Sequence, residues 1–169
     1  RHEMNSTDLS VLNAAVDWLK AGHSVAIATV VQTWGSAPRP IGSWVAIRDD
    51  GQVTGSVSGG CVEDDLIRRV QTEILTRDLP EMVVYGVSQQ EAARFGLPCG
   101  GSVQVVLEPL SSQSQLRELL VLIEQHQRVQ RRLDMTTGMV KMVAVSIHGS
   151  VSTALHHEYN PAKARVFSE

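Results

Sequence analysis

The stretch Gly55-Ser56-Val57-Ser58-Gly59-Gly60-Cys61-Val62-Glu63 marks the point where an extended chain turns into a helix. Three glycines stand in front of a cysteine, and a helical pattern begins directly after it. Glycine has no Cβ, so backbone amides there can turn inward and approach a ligand closely. A helix N-terminus adds unpaired N–H groups and a partial positive charge. A cysteine at that point ionises more readily than a free thiol, because N–H groups and the dipole favour the thiolate. The segment reads as a site that holds an anion, presents a reactive sulfur, or does both.

Working outward, Val62, Leu66, Val70 and Ile74 mark one face of a helix that should end near Asp78, before Pro80. On the other side, residues 43–48 and 52–57 form an expected hairpin with Asp49-Asp50-Gly51 as its turn. Residues 24–33 are β-branched and apolar, which predicts a buried strand. Before it, Leu9, Leu12, Val16 and Leu19 recur at helical spacing until Gly22. Downstream, residues 82–87 and 102–108 predict strands. Ser88 and Glu91 make a capping box for a short helix closed by Gly96. Ser112 and Gln115 make a second box, before a helix lined by Leu116, Leu119, Leu120 and Ile123. Residues 129–135 and 140–148 predict a last hairpin around Thr136-Thr137-Gly138. Hairpins and helical connections together predict an α+β fold with a mixed β-sheet and packed helices, in a single domain. The expected division is a tail at 1–8, the domain at 9–150 and a C-terminal tail or linker at 151–169. Arg1-His2-Glu3 ahead of Met4 read as a leftover before a native start.

The bulk composition narrows the function classes. Fifteen Lys+Arg against 18 Asp+Glu leave a charge of −3, and only 4% of residues are aromatic. Neither a basic surface nor a base-stacking platform is available, so no nucleic-acid partner is expected. Two cysteines make no secreted disulfide scaffold. The longest apolar run, 25–31, is far too short to cross a bilayer, so neither a membrane partner nor a membrane location is expected. The expected compartment is the reducing cytoplasm.

The second cysteine has a similar setting, Gly96-Leu97-Pro98-Cys99-Gly100-Gly101. Each cysteine on its own reads equally as a small core residue beside turn glycines. The pair, both flanked by Gly-Gly, points to function. Neither belongs to a C-x-x-C pair, and no histidine lies near either in sequence, so zinc is not indicated. His156-His157 fits an exposed strand end. Arg39, held between Pro38 and Pro40, reads either as a bidentate phosphate clamp or as a surface arginine. Trp34 and Trp44 bracket that loop and read as packing beneath it. Glu63, Asp64 and Asp65 complement the helix dipole, and they suit a ligand that brings N–H donors, such as a pterin ring.

Three motifs, in order, now stand together: Gly35-Ser36-Ala37-Pro38-Arg39-Pro40-x-Gly42, the Gly55–Glu63 stretch, and Gly96-Leu97-Pro98-Cys99-Gly100-Gly101 before a strand ending Glu108-Pro109. They resemble the N-terminal domain of the XdhC/CoxI family, over residues 9–109. Members of that family are maturation factors for molybdenum hydroxylases such as xanthine, aldehyde and carbon monoxide dehydrogenases. The resemblance implies that this chain binds molybdenum cofactor, as molybdopterin or its dinucleotide form, and protects it during sulfuration. It also implies a cysteine desulfurase as sulfur donor and a hydroxylase apo-enzyme as recipient.

Carried onto this chain, it makes Cys61 and Cys99 the sulfur-handling residues and the candidate molybdenum contacts. Ser36, Arg39, Ser58, Gly59 and Gly60 become the cofactor-binding loops, with Glu63, Gly100 and Gly101 completing the set. Many members carry a further Rossmann-like domain, for which this sequence has no glycine fingerprint, so its end reads as the start of a linker. A homodimer is expected, because apolar surface normally covered by a second domain or copy would be buried that way. The expected role is a chaperone rather than an enzyme with its own substrate. The alternative is a thiol or redox enzyme with Cys61 as its nucleophile and Cys99 as resolving partner, and a third possibility is an oligomeric scaffold without a site.

Overall fold

A computed structural model describes residues 2–3, 6–35, 37, 39–58, 60–86, 88–95, 101–144, 154–155, 158–160 and 166–168. In chain order the elements are β1 (His2–Glu3), α1 (Ser6–Lys20), β2 (Val25–Trp34), β3 (Trp44–Arg48), β4 (Val53–Gly55), α2 (Cys61–Thr72), β5 (Glu81–Tyr85), α3 (Gln89–Arg94), β6 (Ser102–Pro109), α4 (Leu116–Glu124), β7 (Val129–Asp134), β8 (Val140–Ala144), β9 (Ala154–Leu155), β10 (Glu158–Asn160) and β11 (Val166–Ser168). The central sheet has the order β4-β3-β2-β6-β5. A smaller sheet runs β10-β11-β7-β8, and β1 pairs with β9.

The α+β class expected from the sequence is the one observed. Every pairing in the central sheet is antiparallel, so the parallel component of a mixed sheet is not found there. The reason is that α2 and the 74–80 connection carry the chain from one edge strand to the other, where β5 pairs antiparallel with β6.

β2 is buried on both faces from Val25 to Val31, as its largely apolar run requires. Ala26, Ala28 and Val30 join Val45, Ile47, Val105 and Leu107 beneath Val62, Leu66 and Val70 of α2. The alternate residues Val25 and Ile27 join Trp44 and Ala46 against Val11, Leu12, Ala15 and Val16 of α1 and Leu116, Leu119 and Ile123 of α4. Farther along that face, Val31 and Val106 pack under Leu133, Met135 and Val140. The register shifts between Val30 and Gln32. This bulge re-aims the end of β2, where Trp34 emerges half-exposed.

One expected cap is displaced. The Ser112–Ser114 segment is a 3-10 turn capped by Ser111, whose amide donates to Ser114 Oγ while Ser111 Oγ accepts from Gln113 N. Gln115 then starts α4 from the left-handed region, at φ 56°. The motif read one residue late because Ser111 and Ser112 have equal capping chemistry, and the extra turn sets which one is used.

The two sheets are tied by a buried ion pair. Arg131 of β7 is 1% exposed and Glu108 of β6 is 5% exposed. Arg131 Nη1 donates to Glu108 Oε2 at 3.1 Å, and Nη2 donates to Glu108 Oε1. Its Nε and Nη2 also donate to the Ser114 carbonyl at 3.1 and 3.0 Å. Removing one partner would leave a buried charge uncompensated, which typically costs about 3–5 kcal/mol. Glu108→Ala is therefore expected to lose about that much stability in urea unfolding. A Glu108→Leu, Arg131→Met double variant should lose much less than the single one. Equal losses would show that the pair is not coupled.

Candidate functional site

The antiparallel topology collects the glycine motifs at one end of the central sheet. β2 leaves that end at Trp34, opposite Ser102, where β6 begins. β3 begins there with Trp44, and β4 ends there at Gly55, opposite Val45. β5 also ends there, with Tyr85 opposite Val103. A Cβ on Gly35 would lie 3.2 Å from the Gly101 Cα, so the first and third motifs touch through their backbones. Gly55 has φ +95°, and a Cβ there would lie 2.4 Å from the Trp44 carbonyl oxygen, so only glycine fits. The second motif thus starts against β3, directly beside the loop that carries Arg39.

The 56–60 loop is shaped by Glu63. Its Oε1 accepts from Ser56 Oγ at 3.0 Å, Val57 N at 2.8 Å and Ser58 N at 2.7 Å. Its Oε2 accepts from Ser58 Oγ at 2.5 Å and Gly60 N at 2.9 Å. The Glu63 amide in turn donates to the Gly60 carbonyl at 3.1 Å. A carboxylate has about four lone-pair sites, so these donors occupy it fully. Ser58, Gly60 and Glu63, all expected among the cofactor-binding residues, are brought together in this network. The amides read as a cradle for a ligand anion hold the protein's own carboxylate, and Glu63 is the organiser of the loop. Gly60 is the N-cap of α2, and Cys61 opens the helix.

Arg39 is exposed, while Ser58 and Gly101 are buried. Ser36, Gly59, Cys99 and Gly100 lie outside the described residues, as does the side chain of Cys61, so the expected closeness of the two sulfurs falls outside them too. Among the described residues, no group of three or more His, Cys, Asp or Glu side chains could hold a metal ion. No helix among them is long and apolar enough to cross a membrane.

Arg39, Pro40 and Ser43 of the first motif meet Gly55 and Ser56 of the second across an open cleft of 330 Å³, together with Thr7, Asp8 and Trp44. Trp44 is 3% exposed, and its indole Nε1 is buried with no hydrogen-bond partner among the described residues. Sequence reading took Trp44 as packing, and it does pack in the α1 core while also lining this cleft. The missing signal was the hairpin register, which sets the first residue of β3 against both the α1 core and this cleft.

On the other face of the sheet, Asp65 Oδ2 accepts from Tyr85 OH at 2.6 Å and Arg69 Nε at 2.9 Å, and Oδ1 accepts from Arg68 Nη2 at 2.7 Å. Tyr85 packs edge-on against Phe95, with ring centroids 4.9 Å apart. This network pins the first turns of α2, and so the position of Cys61, to the end of β5. Burial works to raise the Asp65 carboxyl, but the Tyr85, Arg68 and Arg69 hydrogen bonds outweigh it and hold it at about 2 against an ordinary 3.8. Burial, reinforced by the Asp65 carboxylate, pushes the Tyr85 phenol well above its ordinary 10.0.

The fold and this loop cluster define an α+β domain built to present glycine-rich loops around one sheet end. The chain matches the model of the XdhC and CoxI family over residues 18–86, a span that holds the first two motifs. It is 31% identical over 134 residues to the molybdenum cofactor insertion chaperone PaoD of Escherichia coli (strain K12), covering 74% of this chain and 39% of that protein. It is 29% identical over 99 residues to a probable xanthine dehydrogenase component of Bacillus subtilis (strain 168), covering 56% of this chain and 29% of that one. A solved xanthine dehydrogenase from Bacillus halodurans superposes with a TM-score of 0.70 at 22% identity, covering 96% of this chain and 52% of that chain. That likeness is one of fold. The chain spans under half the length of these curated relatives and about half of the solved one.

Two outcomes follow from this geometry. Glu63→Gln keeps the size but turns an N–H₂ toward donors, so two loop donors lose their acceptor. The expected cost is about 1–3 kcal/mol, with faster hydrogen exchange at the Val57, Ser58 and Gly60 amides, read by NMR. Unchanged exchange would remove Glu63 from its organising role.

The second outcome concerns pH. A depressed carboxyl stabilises fully above its ordinary value of 3.8 and loses that contribution as the pH falls toward about 2. A raised phenol stabilises fully below 10.0 and loses its contribution as the pH climbs above that. Tyr85→Phe should therefore flatten the fall in stability on the alkaline side. It should also shift the acid-side fall toward higher pH, as followed by urea midpoints across pH.

Proposed function

We propose that this chain is the cargo-holding domain of a chaperone that binds molybdenum cofactor, protects it during sulfuration and helps insert it into a xanthine dehydrogenase-type hydroxylase. The observation that carries this reading is the gathering of the glycine motifs at one sheet end, beside a donor-lined cleft. The relation to a protein named as a molybdenum cofactor insertion chaperone supports it. A cysteine desulfurase as sulfur donor, a homodimer as working form and the cytoplasm as location belong to the same proposal.

The chemistry of the donor set suits such a cargo, which is anionic through its phosphate and dithiolene. Arg39 supplies a cation with a planar array of N–H donors. The Gly35–Gly101 contact keeps side chains out of the sheet end, so a ligand can approach the backbone closely. Cys61, at the first position of α2, and Cys99 of the third motif handle sulfur. Ser36, Gly59 and Gly100 complete the binding loops. Binding without chemistry on the cargo asks for an open, donor-rich surface from which the ligand can leave again, rather than an enclosed catalytic pocket.

Mixing the purified protein anaerobically with cofactor released from a hydroxylase tests the proposal. Co-elution of molybdenum and pterin fluorescence with the protein is expected. Absence of co-elution, together with cofactor-free turnover of a peroxide or disulfide, would replace the chaperone by a cysteine-dependent thiol enzyme.

A further inference from the structure

β5 (Glu81–Tyr85) is an outer strand of the central sheet. The ladder decides which of its backbone groups face outward. Leu110 N donates to the Val25 carbonyl at 2.9 Å, and successive residues of an antiparallel strand bond to alternate sides. Val103, Val105 and Leu107 of β6 therefore turn their N–H and C=O groups toward β5, where they face Tyr85, Val83 and Glu81. The N–H and C=O groups of Met82 and Val84 point the other way, off the sheet. Among the described residues, no backbone group bonds to them.

A bare edge is a template for another strand, and proteins guard it by shortness, lysine or proline. The other outer strands of the two larger sheets are guarded. β4 and β10 have three residues each, and β8 carries the exposed Lys141. Met82-Val83-Val84-Tyr85 has no such device, and Val84 is exposed. Leu79, just before the strand, is exposed too. So is Met139, which follows Gly138, where a Cβ would lie 3.0 Å from the Asp78 carbonyl oxygen and 3.7 Å from Pro80. The apolar patch is continuous with the edge.

We propose that two copies of this chain pair through β5, antiparallel about a two-fold axis at Val83. The strand is complementary to itself in that register. Met82 faces the partner's Val84, so all the outward N–H and C=O groups of both residues are satisfied at once. An axis at Met82 would set Val84 against Pro80, which has no N–H. An axis at Val84 would set Met82 against Gly86, whose carbonyl already accepts from Ser102 Oγ at 2.8 Å. Glu81, the charged side chain of the strand, faces the partner's Tyr85, so no like charges meet. Its own Arg77 lies 3.5 Å away. Val84 is covered by the partner's Met82, a side chain that packs against the core of Val31, Val106 and Leu133. Antiparallel pairing points the two glycine-motif ends in opposite directions, so each copy keeps its site open. The homodimer belongs to the chaperone reading; the surface assigned to it rests on this edge alone.

Light scattering over a dilution series, with amide hydrogen exchange read by NMR, tests the pairing. A dimer is expected in which the Met82 and Val84 amides slow as concentration rises, while those of Val83 and Tyr85 are protected throughout. Val84→Lys should weaken dimerisation about tenfold or more. Val84→Pro removes an N–H that the ladder to β6 does not use and should do the same. If Val84→Pro does not fold, Val84→Lys carries the comparison, because Val84 is exposed. A dimer whose Met82 and Val84 amides exchange freely, or that survives the substitutions, overturns this surface and leaves the homodimer to another face. A monomer at every concentration overturns the surface and the homodimer together, and co-elution with cofactor then decides the chaperone separately. Protection of the Met82 and Val84 amides in a monomer would show the edge covered by its own chain and overturn the pairing.

Discussion

The Glu63 carboxylate sets the local structure on which the functional end of this domain depends. Donors from Ser56, Val57, Ser58 and Gly60 converge on its two oxygens. A loop of small residues between a strand and a helix has high conformational entropy and little side-chain packing to oppose it. Charge-assisted bonds to a single acceptor, each stronger than a neutral pair, give the loop one shape. That shape fixes where α2 begins, and hence where Cys61 stands. A negative side chain in the first turn also satisfies the helix dipole. The thiolate-favouring field expected at Cys61 is correspondingly weakened, since the carboxylate sits among the same amides.

Two further polar anchors hold the layers to which this loop is attached. Asp65 ties α2 to the end of β5 through Tyr85, and Arg131 ties the small sheet to β6 through Glu108. They differ in kind. The Asp65 network is partly solvated and works through hydrogen bonds to a charged acceptor. The Arg131 pair is almost wholly buried, where desolvation offsets much of the attraction and only correct geometry makes it worth keeping. Its value lies in register: a guanidinium that also donates to the Ser114 carbonyl can be satisfied in only one placement of β7 against β6.

Most elements were legible in the sequence because their signals are local. The turn at Asp49-Asp50-Gly51 and the Ser88 cap each depend on a few neighbouring residues and stand where expected, whereas the helix of Val62, Leu66 and Val70, expected to run to Asp78, ends at Thr72, with Ile74 in a 3-10 turn that follows. The displaced cap at Ser111 shows the limit of such signals, since two adjacent serines offer the same chemistry. What could not be read is everything set by register between distant strands. Arg131 and Glu108 are 23 positions apart, and nothing in their spacing pairs them. Trp44 looked like loop packing, because nothing near it in sequence says that α1 and the Arg39 loop share its surroundings. The site was legible as motifs but not as geometry. Glu63 read as a complement to the helix dipole and as a ligand contact, and its hydrogen bonds within the loop were not seen, because spacing alone cannot tell an internal acceptor from an external one.

The antiparallel sheet explains how separate motifs can serve one site. In such a sheet, alternate strands reverse direction, so a chain that leaves β2, β4 and β5 at one end also enters β3 and β6 there. Motifs placed after up-strands and before down-strands must meet, whatever their distance in sequence. Gly35 and Gly101 touch for this reason, and so do the Arg39 loop and Gly55 across their cleft. The same rule separates two chemistries. Cys61 opens the helix that covers one face of the sheet, whereas Trp44 and α1 lie on the other.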